Sequence, residues 1–502
     1  MTLQGLVGVL INVEVDISGG MPAWSVVGLP DIGVRESKER IKTAIKNCGI
    51  DLLSRKYIIN LSPADIRKEG TGFDLAIAIG ILQCMGQIRR FNSEEVLFVG
   101  ELSLDGKINK INGILPICLE CIKYGIKKII LPKENAREAS VVSELKVIGV
   151  DSLNQVIKYL NNEIQILPEK VNISDIFYEN ISDIDFSEVK GQESIKRALE
   201  IAAARRSQLS YDRVSTVHGK TMMARRITTI LPKLTFDEAL EISKIHSIAG
   251  KIGNNTIISE RPFRNPHHTI SNSGLIGGGI VPKPGEISLA HFGVLFLDEL
   301  PEFNRNSIEI LRGPLEDREV TISRALGTFS YPCNFMLIAS MNPCPCGYLG
   351  SDVKKCICSQ KQINDYRGKI SGPILDRIDI QIEVSGVKYE KLGEIKSESS
   401  KNIRERVNKA RNIQLERYKG LNIYSNSELT SKLIEKVCKL NESSKIILKK
   451  SFEKLKLSAR AYTKILKVAR TIADLDGKEN VETTHIVEAI QYRSLDKNVR
   501  NY

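Results

Sequence analysis

This sequence lacks several features, and each absence excludes a class of protein. It has no apolar run long enough to cross a membrane, and residues 1–5 do not begin a signal peptide. Ten cysteines in 502 residues are too sparse for a disulfide framework, although four of them lie in two close pairs. The sequence therefore predicts a cytoplasmic protein with reduced cysteines, no membrane attachment and, at the paired cysteines, a candidate metal site.

Length and composition are those of a multidomain globular protein. A chain of 502 residues has room for two or three domains with their own cores. Its 42% hydrophobic and 26% charged residues are typical of soluble proteins. The net charge of +12, from 72 basic and 60 acidic residues, permits binding to a polyanion without demonstrating it.

The stretch around which the chain is organised is an apolar run that ends in two acids. Residues 294–297 read Val-Leu-Phe-Leu without alternation, as expected for a strand buried on both faces of a parallel sheet. Asp298 and Glu299 follow at the strand end, where open α/β sheets bind ligands. There Asp298 would hold Mg²⁺ through water, and Glu299 would orient or deprotonate an attacking water. The alternative is a buried strand followed by a solvated acidic turn.

Residues 1–165 are predicted to form one α/β domain. Its elements alternate in type, with strands at 13–17, 57–61, 95–100 and 129–131 and helices at 32–47 and 73–85. With the motifs at 68–70, 100–106 and 125–135, this order resembles the proteolytic domain of Lon-type proteases. Lon-type catalysis needs a serine nucleophile and an activating lysine. Those positions are Gly72 and Leu115 here, so we interpret the domain as a non-catalytic relative used for assembly or partner contact, with a protease as the alternative.

The motifs that follow residue 188 are similar to those of a single family. They are Val-x-Gly-Gln at 189–192, Arg-Pro-Phe-Arg-Asn-Pro-His-His at 261–268, Leu-Ile-Gly-Gly-Gly at 275–279, Pro-Gly-Glu-Ile-Ser-Leu-Ala-His at 284–291, Met-Asn-Pro-Cys-Pro-Cys-Gly at 341–347 and Ser-Gly-Pro-Ile-Leu-Asp-Arg-Ile-Asp at 371–379. Together with the acidic stretch at 295–303, this set resembles the YifB/ComM family of magnesium-chelatase-like AAA+ ATPases. The resemblance covers essentially the whole chain.

The resemblance implies an α/β fold class with three domains. These are a Lon-protease-like N-terminal α/β domain at 1–165, an AAA+ P-loop NTPase parallel-sheet core at 188–395 and a C-terminal α-helical lid at 396–502. Residues 166–187, which are polar and without periodicity, form the linker. In the lid we expect helices at 403–418, 427–437, 443–455, 462–474 and 482–492. A basic surface on such helices is usually a solvated face.

The resemblance also implies roles for single residues in nucleotide chemistry. Asn342, which follows an apolar strand, matches the polar residue that senses the γ-phosphate. Arg377 resembles an arginine finger that reaches the phosphate of a neighbouring subunit, as charge stabilisation in phosphoryl transfer requires. Its alternative is a structural ion pair with Asp376 or Asp379. Arg460 resembles the family's second sensor arginine.

The phosphate-binding loop departs from the family pattern. Gly219, Lys220 and Thr221 match the end of the G-x-x-x-x-G-K-[ST] motif, in which the threonine shares Mg²⁺ with Asp298. Residues 205–218 contain no glycine and no apolar strand, where the family has Gly-Gly-His-Asn, an apolar run and Gly-Pro-Pro-Gly-Ser. One back-translation of the first nine of these residues, read one base later, gives Gly-Gly-His-Asn-Phe-Leu-Met-Ile-Gly. We therefore hypothesise a short out-of-frame segment, which as written should lose the strand and most of the amides that hold phosphates.

The close cysteine pairs are candidate metal ligands. Cys344, Cys346, Cys356 and Cys358 form two C-x-C pairs separated by nine residues. Four thiolates at such spacing complete a tetrahedral zinc site, and the alternative is a set of buried free cysteines. The paired histidines at 267–268 are interpreted as loop-shaping residues, not as ligands.

These observations and the family resemblance together give an expected function. The resemblance implies a homo-oligomeric ring, a hexamer, that uses ATP and Mg²⁺. It also implies that the ring acts on DNA by helicase-like branch migration of recombination intermediates during uptake of foreign DNA. Two alternatives stay open: a motor acting on a protein or metal-inserting partner, and a nucleotide-dead scaffold because of the broken loop. The sequence contains no base-reading motif, so it does not itself identify DNA as the substrate.

Overall fold

The computed structural model describes residues 1–172, 177, 184–205, 209–213, 220–253, 255–324, 327–350, 354–384, 397–421, 423–455 and 457–493. The chain forms two compact units, Met1–Asn180 with Phe236–Ser259 and Ile181–Thr235 with Glu260–Tyr502. Each unit has its own buried apolar cluster. Among the described residues, no helix is both long enough and apolar enough to span a membrane.

The first unit is an α/β domain with two three-stranded sheets. Its elements are β1 (Thr2–Gln4), β2 (Val7–Val9), β3 (Asn12–Ser18), β4 (Ala23–Val27), α1 (Ile32–Asn47), β5 (Lys56–Ser62), α2 (Asp74–Cys84), β6 (Val96–Phe98), β7 (Glu101–Leu102), β8 (Ile108–Asn109), α3 (Ile114–Lys123), β9 (Lys128–Pro132), α4 (Lys133–Ala139), β10 (Lys146–Val150) and α5 (Leu153–Leu160). One sheet has the order β3-β5-β4, with β3 antiparallel and β4 parallel to β5. The other has three parallel strands in the order β10-β9-β6.

Local sequence explains these elements. The side chain of Asp31 caps α1 by accepting a hydrogen bond from the backbone N–H of Val34, 2.7 Å away. Apolar residues at helical spacing, including Ile41 and Ile45, then form the buried face of α1. Alternate residues of β5 are buried, which is the period-2 pattern of a strand covered on one face.

The second unit is built on a five-stranded parallel sheet. Its strands are β11 (Leu209–Arg213), β12 (Phe263–Arg264), β15 (Val294–Leu297), β18 (Met336–Met341) and β19 (Ile380–Val384). Their order is β12-β15-β18-β11-β19, and all pairs are parallel. All four residues of β15 are buried, as predicted for a strand covered on both faces.

The strand β11 corrects one prediction. We expected residues 205–218 to lose the sheet strand, but the backbone of β11 pairs with β18 on one side and β19 on the other. Sheet pairing uses backbone N–H and C=O groups, so a polar segment can occupy a slot between two strands that are already in place. Residues 206–208 and 214–219, including most of the proposed phosphate loop, lie outside the described residues.

Helices and two hairpins complete the second unit. The core adds α6 (Glu193–Arg205), α7 (Lys220–Ile230), α9 (Asn272–Ile276), α10 (Glu286–Leu289), α11 (Arg305–Ile310), α12 (Arg312–Asp317), α13 (Gln360–Arg367) and α14 (Gly372–Leu375), with antiparallel hairpins β13 (Gly277–Gly278)–β14 (Lys283–Pro284) and β16 (Glu319–Arg324)–β17 (Gly327–Pro332). The helical lid consists of α15 (Ser400–Arg417), α16 (Ser431–Val437), α17 (Glu442–Leu455), α18 (Ala459–Leu475) and α19 (Thr483–Gln491). All five predicted lid helices are present, with ends shifted by up to four residues.

One segment of the chain belongs to the first unit although its sequence neighbours belong to the second. Helix α8 (Phe236–Ile248) and the residues after it, to Ser259, pack within the first unit. The backbone N–H of Gly113 donates to the carbonyl of Ser247 over 3.1 Å, and Lys110 Nζ donates to the carbonyl of Gly253 over 2.9 Å. The segment leaves the second unit after α7 and returns just before β12.

Candidate nucleotide site and four-cysteine cluster

Parallel strands bring two of the predicted site residues to one edge of the sheet. Strands β15 and β18 are neighbours, with Leu297 paired to Ala339. Asp298 therefore continues β15 beside Ser340, and Asn342 directly follows β18. Because the carboxyl ends of parallel strands share one edge, both polar side chains belong to the ligand-binding edge of this α/β sheet.

Asp298 lies at the centre of a polar cluster. Its Oδ2 accepts a hydrogen bond from Thr221 Oγ1 at 3.0 Å, and Ser340 Oγ donates to its Oδ1. The backbone N–H of Glu299 also donates to Asp298 Oδ1, at 3.1 Å. The structure thus brings together Thr221 and Asp298, the two residues predicted to share Mg²⁺. Oxygen ligands of this kind suit Mg²⁺, which keeps several waters and takes one or two protein ligands.

Ser340 is a site residue that the sequence reasoning missed. It is fully buried in β18 and contacts both Asp298 and the backbone N–H of Glu299. A hydroxyl near the end of an apolar strand was the available signal. It was not distinctive, because a serine in a strand more often bonds to the backbone.

Glu299 has a strained backbone. Its φ of 55° and ψ of 50° place a non-glycine residue in the left-handed region, which costs free energy unless neighbours hold it. The Asp298 carboxylate and the Ser340 hydroxyl stabilise this conformation, because both accept hydrogen bonds from the backbone N–H of Glu299. The turn therefore fixes the backbone from which the Glu299 side chain extends, directly after Asp298.

The structure describes only the backbone of Lys220 and nothing of Gly219, the two other predicted phosphate-loop residues. Lys220 is the first residue of α7, directly before Thr221, but its side chain lies outside what the structure describes. Gly219 lies outside the described residues altogether. The helix that should follow a phosphate loop is thus in place, with its N-terminus next to the Asp298 cluster.

Arg377 and Arg460 line the same cavity. This cavity, of about 300 Å³, also has Arg318, Lys464 and Lys467 in its wall. No contact among the described residues joins either of these two arginines to Asp298 or Glu299. Asp298 and Glu299 are not among the described residues that line this cavity.

Arg377 pairs with a residue that the sequence did not suggest. Its guanidinium pairs with Glu316, and its Nη1 donates to the carbonyl of Pro373 at 2.8 Å. The predicted structural alternative, a pair with Asp376 or Asp379, is therefore not the pair that forms. The Nε of Arg377 is buried and has no hydrogen-bond partner among the described residues. One donor of this side chain is therefore buried without an acceptor in this conformation of the described residues.

Asp379 is instead the anion of a buried basic cluster. It lies 2.9 Å from Lys464 Nζ and 3.5 Å from an Nη of Arg205. Arg205 is only 2% exposed, and its Nε and other Nη have no hydrogen-bond partner among the described residues. Burial lowers the pKa of Arg205. Because two of its buried nitrogen atoms make no hydrogen bond to any described residue, this guanidinium lowers the stability of the folded state.

We predict that replacing Arg205 by an apolar residue stabilises the second unit. Arg205→Met removes the unpaired donors and leaves Asp379 paired with Lys464, so the free energy of unfolding should rise by about 1–3 kcal/mol. The matched control is Lys464→Met, which removes the closer partner of Asp379 and should destabilise by about 3 kcal/mol. Denaturant unfolding of the full chain measures both. A lower stability for Arg205→Met would show that this arginine is well satisfied.

The four paired cysteines come together. Their sulfur atoms all lie within 4.8 Å of one another, and the Sγ of Cys344 is 3.4 Å from Cys346 and 3.6 Å from Cys356. Sulfurs bound tetrahedrally to zinc at 2.3 Å are about 3.8 Å apart, so the donor set fits this metal. The pKa of Cys346 is lowered to about 6, first because the backbone N–H of Tyr348 donates to its sulfur. Only Cys344 is fully buried, unlike the alternative of four buried free cysteines.

The paired histidines at 267–268 lie in a loop. Their rings are 4.0 Å apart, His267 Nδ1 is 2.9 Å from Thr269 Oγ1, and the ring of His268 lies edge-on to Phe303. They take no part in the four-residue group of possible metal ligands found among the described residues. Their contacts are those of loop-shaping residues, as predicted.

The positions of the missing Lon-type catalytic groups are filled by apolar and backbone contacts. Leu115 is fully buried, and its backbone N–H donates to Glu138 Oε1 at 3.2 Å. The same carboxylate accepts from Ser247, near the end of α8. A side chain added at Gly72 would meet Val99 at 3.5 Å. The helix that would carry the catalytic lysine is thus a docking surface for another part of the chain.

A parallel sheet with an acidic pair and an asparagine at its carboxyl edge, followed by a helical domain, is the arrangement of an AAA+ ATPase. Three family models match the chain. The model for magnesium chelatase, subunit ChlI, matches residues 185–392. The model for subunit ChlI of Mg-chelatase matches residues 13–135, and the model for the ChlI C-terminal region matches residues 397–493. The chain belongs to this magnesium chelatase ChlI family.

Individual relatives extend this result over nearly the whole chain. The chain is 41% identical to competence protein ComM of Haemophilus influenzae over 497 residues, which are 98% of this chain and 96% of that protein. It is 38% identical to the protein YifB of Escherichia coli, over 97% of this chain and 94% of that protein. A stretch of 165 residues is 27% identical to Lon protease of Rhizobium meliloti, covering 30% of this chain and 20% of the protease.

Proposed function

We propose that this chain is a subunit of an ATP-driven ring, a hexamer, that acts on DNA by branch migration of recombination intermediates. The contact between Thr221 and Asp298 at the carboxyl edge of the sheet is the observation that supports ATP hydrolysis. The DNA part is supported by the similarity to a competence protein over 98% of the chain and by the net charge of +12.

The chain's own groups would divide the work of hydrolysis. Asp298 and the Thr221 hydroxyl would hold Mg²⁺, which when bound neutralises charge on the β- and γ-phosphates. Glu299, fixed by its strained turn, would orient the attacking water and take up its proton. Asn342 would hold the same water through its side-chain amide. Because the amide is neutral, it would not cancel the positive charge of Mg²⁺.

Arg377 would act on a different nucleotide. Arg377 and Arg460 line one cavity and have no described contact with the acidic cluster of their own chain. We assign Arg377 to the phosphates of a nucleotide on a neighbouring subunit, as the finger, and Arg460 to nucleotide binding as the second sensor arginine. To act as a finger, Arg377 would exchange its pair with Glu316 for the phosphate, since its Nε is buried in this conformation.

A nucleotide-dead scaffold is the second candidate. It is favoured by the absence of glycine from residues 205–218, which removes the backbone nest that holds phosphates. A motor that acts on a protein or metal-inserting partner is a third possibility, which the similarity to magnesium chelatase subunits supports.

DNA binding by the full chain tests the proposed substrate without requiring ATP. We expect binding to a synthetic four-way DNA junction, measured by fluorescence anisotropy, to weaken as salt is raised, because phosphate contacts release counterions. A heparin-treated sample gives the polyanion control. If the chain binds no DNA at about 50 mM salt, the DNA proposal is wrong and the partner is another molecule.

We also propose that the four cysteines hold a structural Zn²⁺. Cys344 lies two residues after Asn342, and the carbonyl of Pro343 between them accepts a hydrogen bond from Arg367 Nε at 3.1 Å. Cys358 directly precedes the capping residue Ser359 of α13. A metal at this cluster would therefore tie the loop that carries Asn342 to the start of α13.

Metal analysis of the purified chain should find about one zinc per chain. Cys344→Ser and Cys358→Ser should each abolish it, because three thiolates leave the tetrahedral site open. Cys84→Ser, at an exposed cysteine outside the cluster, is the control and should keep the metal. If the wild-type protein is well folded and contains no metal, the zinc proposal is wrong.

A further inference from the structure

Helix α17 of the lid carries a basic and aromatic surface, which we call the lysine face and define as Lys445, Lys449, Lys450, Phe452 and Tyr462. All five side chains are exposed. Lys445, Lys449 and Phe452 are spaced i, i+4 and i+7, so they follow one side of the helix, and Lys450 lies about 100° further round its exposed surface. Tyr462, from the first turn of α18, completes the surface.

The charge around this face is concentrated. Helix α17 itself contains four lysines and two glutamates, Glu442 and Glu453, all of them exposed, a net charge of +2. The whole segment 431–455 has seven lysines and three glutamates, a net charge of +4. Lys445 pairs with Glu442 at 2.7 Å, but both side chains are largely exposed, so water and salt screen this pair. The surface therefore has a positive potential suited to a polyanion.

Two exposed aromatic rings distinguish this face from an ordinary solvated one. Phe452 and Tyr462 are each 37% exposed, and their ring centroids lie 6.3 Å apart in an edge-to-face arrangement. A solvated lysine helix needs no aromatic surface. Proteins that bind single strands combine basic side chains for phosphates with aromatic rings on which bases stack.

We propose that the lysine face binds a single strand of nucleic acid. The lysines would contact successive phosphates, and Phe452 with Tyr462 would offer a stacking surface to a base. This inference rests on the proposed DNA function and specifies where one strand is held. An anionic membrane fits less well, because membrane helices insert a broad apolar face. The apolar face of α17, which includes Leu448, is instead buried inside the lid.

The test compares two triple variants of the full chain for binding to a fluorescent oligo-dT of about 30 nucleotides. Lys445→Ala, Lys449→Ala and Lys450→Ala together should weaken binding at least about tenfold at low salt. They should also reduce the slope of log affinity against log salt by about 2, since each lost phosphate contact removes about 0.7. The control, Lys107→Ala, Lys123→Ala and Lys127→Ala, removes three exposed lysines of the first unit and should change neither the affinity nor the salt slope.

Single aromatic variants separate stacking from charge. Phe452→Leu keeps an apolar side chain but not the ring, and should weaken oligo-dT binding about tenfold with an unchanged salt slope. Val487→Ala, at an exposed aliphatic residue on α19, should have no effect.

The outcomes distinguish this inference from the function on which it rests. If the wild-type chain binds no DNA, both fail. If it binds DNA and the lysine and control variants bind equally well, only the lysine face is wrong. Binding of the wild-type chain to vesicles of an anionic phospholipid, lost in the lysine variant while oligo-dT binding persists, would assign the face to membranes and overturn the inference.

Discussion

ATP hydrolysis should be negligible in the chain as written and should appear when residues 205–218 are replaced by Gly-Gly-His-Asn-Phe-Leu-Met-Ile-Gly-Pro-Pro-Gly-Ser. The replacement supplies the glycines whose backbone amides close round the phosphates ahead of Lys220 and Thr221. The rest of the site is already present, since Thr221 contacts Asp298. The Phe-Leu-Met-Ile run of the replacement should take the place between β18 and β19 that β11 now has. Phosphate release by the two proteins, at equal concentration with ATP and Mg²⁺, measures the difference.

Glu299→Gln in the restored chain shows whether the activity comes from this site. The amide keeps the shape of the side chain but cannot take a proton, so turnover should fall at least about a hundredfold while ATP binding is retained. Equilibrium binding of a fluorescent ATP analogue separates the two quantities. If the unrestored chain hydrolyses ATP at the restored rate, the missing amides are not needed and this interpretation of the site is wrong.

Arg377→Ala in the restored chain should also remove turnover, by about a thousandfold, because a finger stabilises the charge of the transferring phosphate. Arg377→Lys is the conservative control. It keeps the charge without the planar fork and should recover only a small part of the rate.

Mixing the two inactive proteins tests whether the finger acts between subunits. In a ring of Arg377→Ala and Glu299→Gln subunits, some interfaces join an intact Glu299 to an intact Arg377, so part of the rate should return. The control mixture pairs Arg377→Ala with a Glu299→Gln, Arg377→Ala double variant, and should stay inactive. No recovery at any mixing ratio would place Arg377 at the nucleotide of its own chain.

Elements with strong periodicity were predicted well. The amphipathic pattern gave α1 at its observed ends, Ile32–Asn47, and the unbroken apolar run gave β15. Both patterns report burial directly, because side chains follow the period of the element that carries them. The spacing of the two C-x-C pairs likewise indicated four cysteines that lie together, and the acids after β15 include Asp298, which contacts Thr221.

Features that depend on tertiary contacts were not predicted. β11 forms from a polar segment because its place is set by the strands on either side, which periodicity does not report. Ser340 and the pair between Arg377 and Glu316 join residues far apart in sequence. The sequence also did not indicate that α8 packs in the first unit. A helical pattern can show that one face is buried, but it does not show which part of the chain covers that face.

That docking has a consequence for dissecting the protein. A shortened chain that simply begins after the first unit would still contain Phe236–Ser259 but not the surface that this segment packs on. Ala239, Ile242, Ile245 and Ile248 of α8 would then face water, and such a patch favours aggregation. Isolating the ATPase unit in soluble form takes two cuts and a new linker from Thr235 to Glu260. Conversely, the first unit expressed alone needs α8 supplied as a separate peptide or fused after residue 172.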